Sequence, residues 1–384
     1  MAKEAASLKK IFLVLLLLLV CNGCVPKSYI EQLGIITAIG YDQAEEDQVK
    51  GTMVIFQFDP TATASSQVVS AVADTSKGIR FRANRQTSHR LVSGQVRLLL
   101  FENKLAEKGV MRYMDTLSRD AKITDMGFLS VSDVPTEKLL KSGISEDAPN
   151  TGNYIQRLIE KSIHQEMIPN VELTSFIHHY YDVGIDPVLP LLSTQEEKTM
   201  IKGLALFQND RFVQTLSEED IIFLLLLKKD LKDAELQLQL PNEALQNYYK
   251  KRSINPATDG ELHVSLNEVE TDLSIQTKKN DPVSPSVHLK MEARLLEITK
   301  DIDLKQRKAI RKLEDEIAKG IEERLSLVVN QLKEEKVDPV GFGKEYNEKH
   351  RTNRITEESW RDQISQLDVS FDVEVKLLRY GISE

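Results

Sequence analysis

VHLKMEARL at residues 287–295 and VSFDVEVKL at residues 369–377 decide the fold class of this 384-residue chain. In the first, Val287, Leu289, Met291, Ala293 and Leu295 alternate with His288, Lys290, Glu292 and Arg294. The second does the same, with Val369, Phe371, Val373, Val375 and Leu377 set between Ser370, Asp372, Glu374 and Lys376. Successive side chains of a strand point to opposite faces, so each segment has one face for a core and one for water. A slip of one residue would bury the charges, which pins the register. Between the two segments, Ile310, Leu313, Ile317, Ile321, Leu325, Val328 and Leu332 recur at spacings of three and four. That is the stripe of a long amphipathic helix, whose apolar face needs a sheet to cover it. Residues 339–343 hold a proline and two glycines that end the helix, and 344–354 reads as a charged loop. Helices packed on mostly antiparallel sheets follow, an α+β architecture.

Upstream, residues 29–42 and 50–59 predict two strands joined by a polar turn and paired antiparallel. Residues 61–78, rich in Ser, Thr and Ala, predict a flexible connection into a basic segment, helical or extended, at 79–90. A strand at 95–101, a helix at 103–117 and a strand at 127–132 come next. Residues 142–153 read as a loop and 154–166 as a helix stopped by Pro169. Residues 203–216 predict a hairpin turning at Asn209 and Asp210, and Ser217 with Asp220 opens a buried helix over 221–227 in the manner of a capping box. The expected division is an N-terminal α+β domain over 24–195, a small middle domain over 196–262 and a C-terminal α+β domain over 263–384.

The first 23 residues read differently. Lys3, Lys9 and Lys10 precede an unbroken apolar run at 11–20, then Cys21, Asn22, Gly23 and Cys24. That is the layout of a secretory signal, and the run is too short to span a bilayer, which takes roughly 20 residues. Gly23 directly before Cys24 resembles the bacterial lipobox, in which the signal is cut before a cysteine whose thiol is diacylated. The chain has 2 Cys, both in this segment. Removing the signal leaves Cys24 with no disulfide partner, and lipid attachment accounts for it.

The formal net charge is -9, with 28% charged and 41% hydrophobic residues. This describes an acidic globular body, and it argues against nucleic acid, whose phosphates demand an excess of Lys and Arg. Chemistry-bearing patterns are sparse. The chain has 7 His but no His-Glu-x-x-His. His178 and His179, beside Tyr180 and Tyr181, read as a partly buried turn, since neighbours on a strand point apart and cannot share an ion. Gly341, Phe342 and Gly343 lack the following Lys-Ser/Thr of a phosphate loop and read as a structural turn. Glu314, Asp315 and Glu316 sit among Lys308, Arg311, Lys312 and Lys319 and read as a solvated helix face. Arg80, Arg82, Arg85 and Arg90 read first as a solvated surface, with lipid headgroups or an acidic loop of a partner as the alternative. No Gly-x-Ser-x-Gly elbow occurs. The expectation is a protein that is not an enzyme and carries neither cofactor nor metal.

Three stretches resemble the Ger(x)C family, the C-subunit lipoproteins of bacterial spore germinant receptors. The first is the lipobox followed by LGIITAIGYD at 33–42. The second is SHRLVSGQVRLLLFENKLAEKGVMRYMDTLSRD at 88–120. The third couples KGLALFQNDRFVQTLSEED at 202–220 with VDPVGFG at 337–343, Trp360 and the closing strand through Gly381. The resemblance implies three domains, no known catalysis, attachment to membrane lipid through Cys24 and assembly with the membrane-embedded A and B subunits of the receptor. It implies a place on the outer face of the spore inner membrane and a role in nutrient-triggered germination. A solute-binding lipoprotein serving a membrane transporter is the alternative reading, and a tethered hydrolase ranks below it for want of any nucleophile or base.

Overall fold

The computed structural model describes residues 29–45, 47–58, 65–118, 127–142, 150–196, 198–250 and 262–380. The signal segment and Cys24 lie outside the described residues. Two sheets organise the rest, in a mixed α+β architecture.

The first sheet begins as the sequence reading expects: β1 (Leu33–Gln43) and β2 (Val49–Gln57) pair antiparallel, and β3 (Ser66–Ala73) extends them. β4 (Arg90–Val92) then runs parallel to the start of β1. The middle of the sheet is parallel, with β5 (Leu98–Glu102) between β1 and β6 (Phe128–Ser132), and β7 (Val188–Gln195) beyond. Every residue of β5 and β6 is buried. That is the mark of strands covered on both faces, which parallel crossovers through helices provide. β8 (Lys198–Gln208) and β9 (Arg211–Ser217) form the expected hairpin and complete the order β3-β2-β1-β5-β6-β7-β8-β9. The expected boundary at 195/196 falls in the turn between β7 and β8, which are hydrogen-bonded neighbours.

Helices α1 (Ser76–Asn84), α2 (Asn103–Ala106), α3 (Met111–Ser118), α4 (Thr136–Ser142), α5 (Thr151–His164) and α6 (Leu173–Tyr181) make the crossovers. α7 (Ile221–Lys228), the expected buried helix, leads to the second sheet. That sheet has the order β10 (Ala234–Leu240), β11 (Leu262–Lys278), β12 (Asp281–Ile298), β13 (Ser370–Tyr380). The two segments that decide the fold class are adjacent in it, with Val287 opposite Phe371 and Leu289 opposite Val373, and they run parallel. The intervening chain carries α8 (Arg307–Glu334), α9 (Phe342–Lys349) and α10 (Glu357–Gln363).

All seven residues of the α8 stripe are buried. The same helix also closes two sheet edges. Glu314 and Glu322 accept the outward N–H groups of Leu377 (2.8 Å) and Val373 (3.2 Å) on β13. Eight residues of helix rise about 12 Å and four of strand about 13 Å, so the two acceptors match the two donors in antiparallel order. Toward the other end, the Gln331 amide donates to the Thr215 carbonyl of β9 at 3.0 Å.

Several local expectations change. The connection at 61–78 contains β3, whose inward side chains Val69, Ala71 and Ala73 alternate with outward ones; small residues carry little hydropathy signal. His178 and His179 lie on helix α6, because Leu173 and Phe176 recur at a helical interval and bury together. Glu316 is buried rather than solvated, paired with Lys312 (2.7 Å) one turn before and Lys319 (3.0 Å) one turn after. Ser217 makes no capping box: its hydroxyl donates to the Asp220 carboxylate (2.7 Å), and a 3-10 turn precedes α7. The supposed charged loop at 344–354 begins inside α9, and Gly341, expected as part of a turn, is its N-cap with φ +90°.

Candidate functional site

The motif stretches of the sequence reading have structural duties that can be followed atom by atom. In GYD, Asp42 accepts the Thr136 N–H (2.6 Å) and hydroxyl (2.9 Å) and so fastens the start of α4 to β1. Burial pushes the Asp42 carboxyl up from the usual range, and the two Thr136 bonds oppose it. Gly40 leaves the room this needs, since a Cβ there would lie 2.2 Å from the Thr136 hydroxyl.

The second and third stretches meet at the β8–β9 turn. The Asp210 carbonyl accepts the Val110 N–H (3.0 Å), and its carboxylate accepts that of Met111 (3.0 Å). Beside it, Gly109 has φ +104°, and a Cβ would come 2.7 Å from the carboxylate. The neighbouring Asn209, at φ 56°, donates its N–H to Asp186 (3.2 Å).

Asp186 opens a buried ionic junction between the two sheets. Arg361 grips it with both ends of the guanidinium, at 2.7 and 2.9 Å, and also bonds Asn209, Glu357 and the Lys336 carbonyl. Asp186 and Asp338 then bond to one another's backbone: the Asp338 N–H donates to the Asp186 carboxylate (2.7 Å) and the Asp186 N–H to the Asp338 carbonyl (2.8 Å). The Asp338 side chain in turn accepts the N–H groups of Gly341 (2.7 Å) and Gly343 (3.0 Å) and the Trp360 indole (3.1 Å). A carboxylate is stabilised there by the first turn of α9. Lys228, at the end of α7, bonds the Pro339 carbonyl. Two buried carboxylates thus face one guanidinium and one ammonium, with the more exposed Glu357 carboxylate at the rim. Burial pushes Lys228 down to about 8, with Asp338 pulling the other way, and burial pushes the nearby His179 down to about 4, helped by Lys228.

Two glycines make the approach possible. A Cβ on Gly184 would lie 2.4 Å from the Gly343 carbonyl carbon, and one on Gly343 would lie 2.7 Å from the Trp360 ring. The Lys344 N–H donates across this contact to the Gly184 carbonyl at 2.9 Å.

Chemically, the arrangement is a fastener. The acceptors of both carboxylates are occupied by donors of the fold, and no hydroxyl or thiol nucleophile joins them. Among the described residues no group of His, Cys, Asp and Glu is placed to hold a metal ion. One measurable property follows. Burial pushes Asp338 up to about 6, against the N–H groups of Gly343, Gly341 and Phe342 and with the Asp186 charge adding to the rise. Between about pH 4 and 6 the folded chain therefore holds more protons than the unfolded one, so this group's contribution to stability falls as pH rises through that window. The loss amounts to about 3 kcal/mol. In urea unfolding, the advantage of wild type over Asp338→Asn should be largest near pH 4 and shrink by that amount toward neutrality. A gap constant with pH would mean that Asp338 ionises at its ordinary value.

Of the residues singled out in the sequence, the structure brings Gly341, Gly343 and Trp360 together at the junction and places the arginine run on and after α1. Asp186 and Arg361 escape sequence reasoning; the one available signal is Arg361 directly following the sole Trp.

The fold has a solved counterpart: the crystal structure of the GerBC protein superposes with a TM-score of 0.52 at 13% identity, covering 91% of this chain and 100% of that one. Residues 26–194 match the spore germination protein N-terminal domain, and 202–381 match the spore germination B3/GerAC-like C-terminal domain. The chain belongs to the Ger(x)C family of spore germination proteins. Spore germination protein GerQC of Bacillus cereus is 24% identical over 98% of this chain and 100% of its own length. YfkR of Bacillus subtilis is 20% identical over 94% of each.

Proposed function

We propose that this chain is the lipid-anchored, non-enzymatic subunit of a spore germinant receptor, held at the outer face of the spore inner membrane beside the membrane-embedded A and B subunits. The observation that carries the reading is family membership over both halves of the chain in order, with the second and third family-like stretches meeting at the β8–β9 turn beside the buried junction. The junction supports a body that presents docking surfaces, since its polar groups are consumed in holding two sheets together. No helix among the described residues is long and apolar enough to cross a membrane. In this reading Cys24 and the partners supply the attachment. One acyl chain binds a membrane reversibly and two hold it stably, which suits a protein that must stay through dormancy.

The test is fractionation of spores carrying wild type or Cys24→Ala, with germination scored on the same preparations. The variant is expected in the soluble fraction, with germination to at least one nutrient reduced. A variant that remains membrane-bound in normally germinating spores would sink the anchor, and normal germination after deletion of this gene and its paralogues would sink the receptor role.

A further inference from the structure

The segment from Thr75 to Phe101 carries six Lys and Arg and no Asp or Glu, in a chain of net charge -9. It folds as α1, β4 and the start of β5. Ile79 and Ala83 turn inward, and Lys77 and Phe81 on the outer face of α1 are followed at the same interval of four by Arg85, its C-cap. All three are exposed, Phe81 at 68% although it is one of the largest apolar side chains on the surface. β4 continues the patch, because its pairing sets exposed Arg90 beside Leu33 at the start of β1. Leu33 and Ile35 floor a groove here, with Lys77 and Arg90 on its rim.

What lies next to this groove is the chain's own N-terminal approach. Tyr29 and Ile30, 56% and 48% exposed, immediately precede β1. Tyr29 is five residues from Cys24, a reach of about 17 Å at most. Aromatic and aliphatic side chains interleaved with exposed cations are what a bilayer interface selects: rings at headgroup level, Lys and Arg on phosphates. Glu31 and Asp74 flank the patch in sequence, and Asp74 accepts a bond from Gln48 (3.0 Å).

We propose that the α1–β4 face lies against the membrane and binds anionic phospholipid headgroups, with Phe81, Tyr29 and Ile30 at the interface. This rests on the lipid-anchor reading for its orientation: the acyl chains supply retention, and the basic face sets which side of the body points down and which surfaces remain for partners.

Two measurements test it. In the first, the mature chain with Cys24→Ser, which cannot be acylated, is sedimented with vesicles of phosphatidylcholine alone or with about 30% phosphatidylglycerol. Binding is expected only to the anionic vesicles. It should fall about 100-fold in Lys77→Gln/Arg85→Gln/Arg90→Gln, at roughly a factor of five per cation removed, and should vanish near 1 M salt. In the second, acylated protein in anionic vesicles carries an environment-sensitive fluorophore on Gln86→Cys or, at the far edge of the same sheet, on Val213→Cys. The probe at 86 should shift to the blue and the probe at 213 should not. Equal binding of the Cys24→Ser chain to neutral and anionic vesicles, or equal spectra at 86 and 213, overturns the proposal and leaves an acidic protein loop as the partner of this face. Mass spectrometry of the wild-type chain reports acylation separately, so a failed anchor cannot be mistaken for a failed surface.

Discussion

Arg361→Ala should lower stability by about 3–5 kcal/mol, because it removes one partner of a buried ion pair and leaves the other. Asp186 is 2% exposed and would lose two of its bonds, keeping only the N–H groups of Asn209 and Asp338. The adjacent Asp338 carboxylate would then repel it, with only the Lys228 ammonium nearby to offset the pair. In a chain of this size the change corresponds to a fall of about 4–6 °C in Tm. Arg361→Lys should recover only part of it, since an ammonium cannot span both carboxylate oxygens as the guanidinium does. Thermal and urea unfolding of the three proteins decide the matter, and an alanine variant within 1 kcal/mol of wild type would mean that the junction is a bystander.

Gly184→Ala should be nearly as damaging, for a reason that has nothing to do with charge. Gly184 has φ +82°, a conformation that costs other residues about 1–3 kcal/mol, and its missing Cβ is occupied by the backbone of Gly343 and Lys344. Backbone atoms cannot rotate aside as a side chain can, so overpacking adds about 1–3 kcal/mol. The two segments would separate, lengthening the bond from Lys344 to Gly184. Gly127→Ala is the matched control, because the nearest atom to its new Cβ is 3.8 Å away and its φ is not positive. Equal unfolding midpoints for the two variants would show that the close approach is not needed.

Legibility in the sequence tracked how local the cause was. β12, α8 and β13 were readable because burial repeats at two or at three and four within each segment, and α7 because its apolar run is unbroken between Asp220 and Lys228. The Asn209–Asp210 turn was readable because both residues tolerate the backbone a tight hairpin needs. The parallel sense of β12 and β13 was not, since alternation looks the same in either direction and only the crossover through α8, α9 and α10 decides it. Glu316 was misjudged because Lys312 and Lys319 beside it are equally the signature of an exposed face. The junction was out of reach: Asp186 is 152 residues from Asp338 and 175 from Arg361, and pairs so distant leave no periodic trace. Cys24 rests on the sequence alone.

The two glutamates of α8 bear on how the chain breathes. Amides at the edge of a sheet ordinarily exchange their hydrogens early, as the strand frays into water. Those of Val373 and Leu377 are bonded to a helix that also holds β9, so fraying does not free them; α8 must lift. Their deuterium uptake should therefore follow that of the α8 backbone, making two residues of an outermost strand into reporters of the moment at which both sheets lose their common stave.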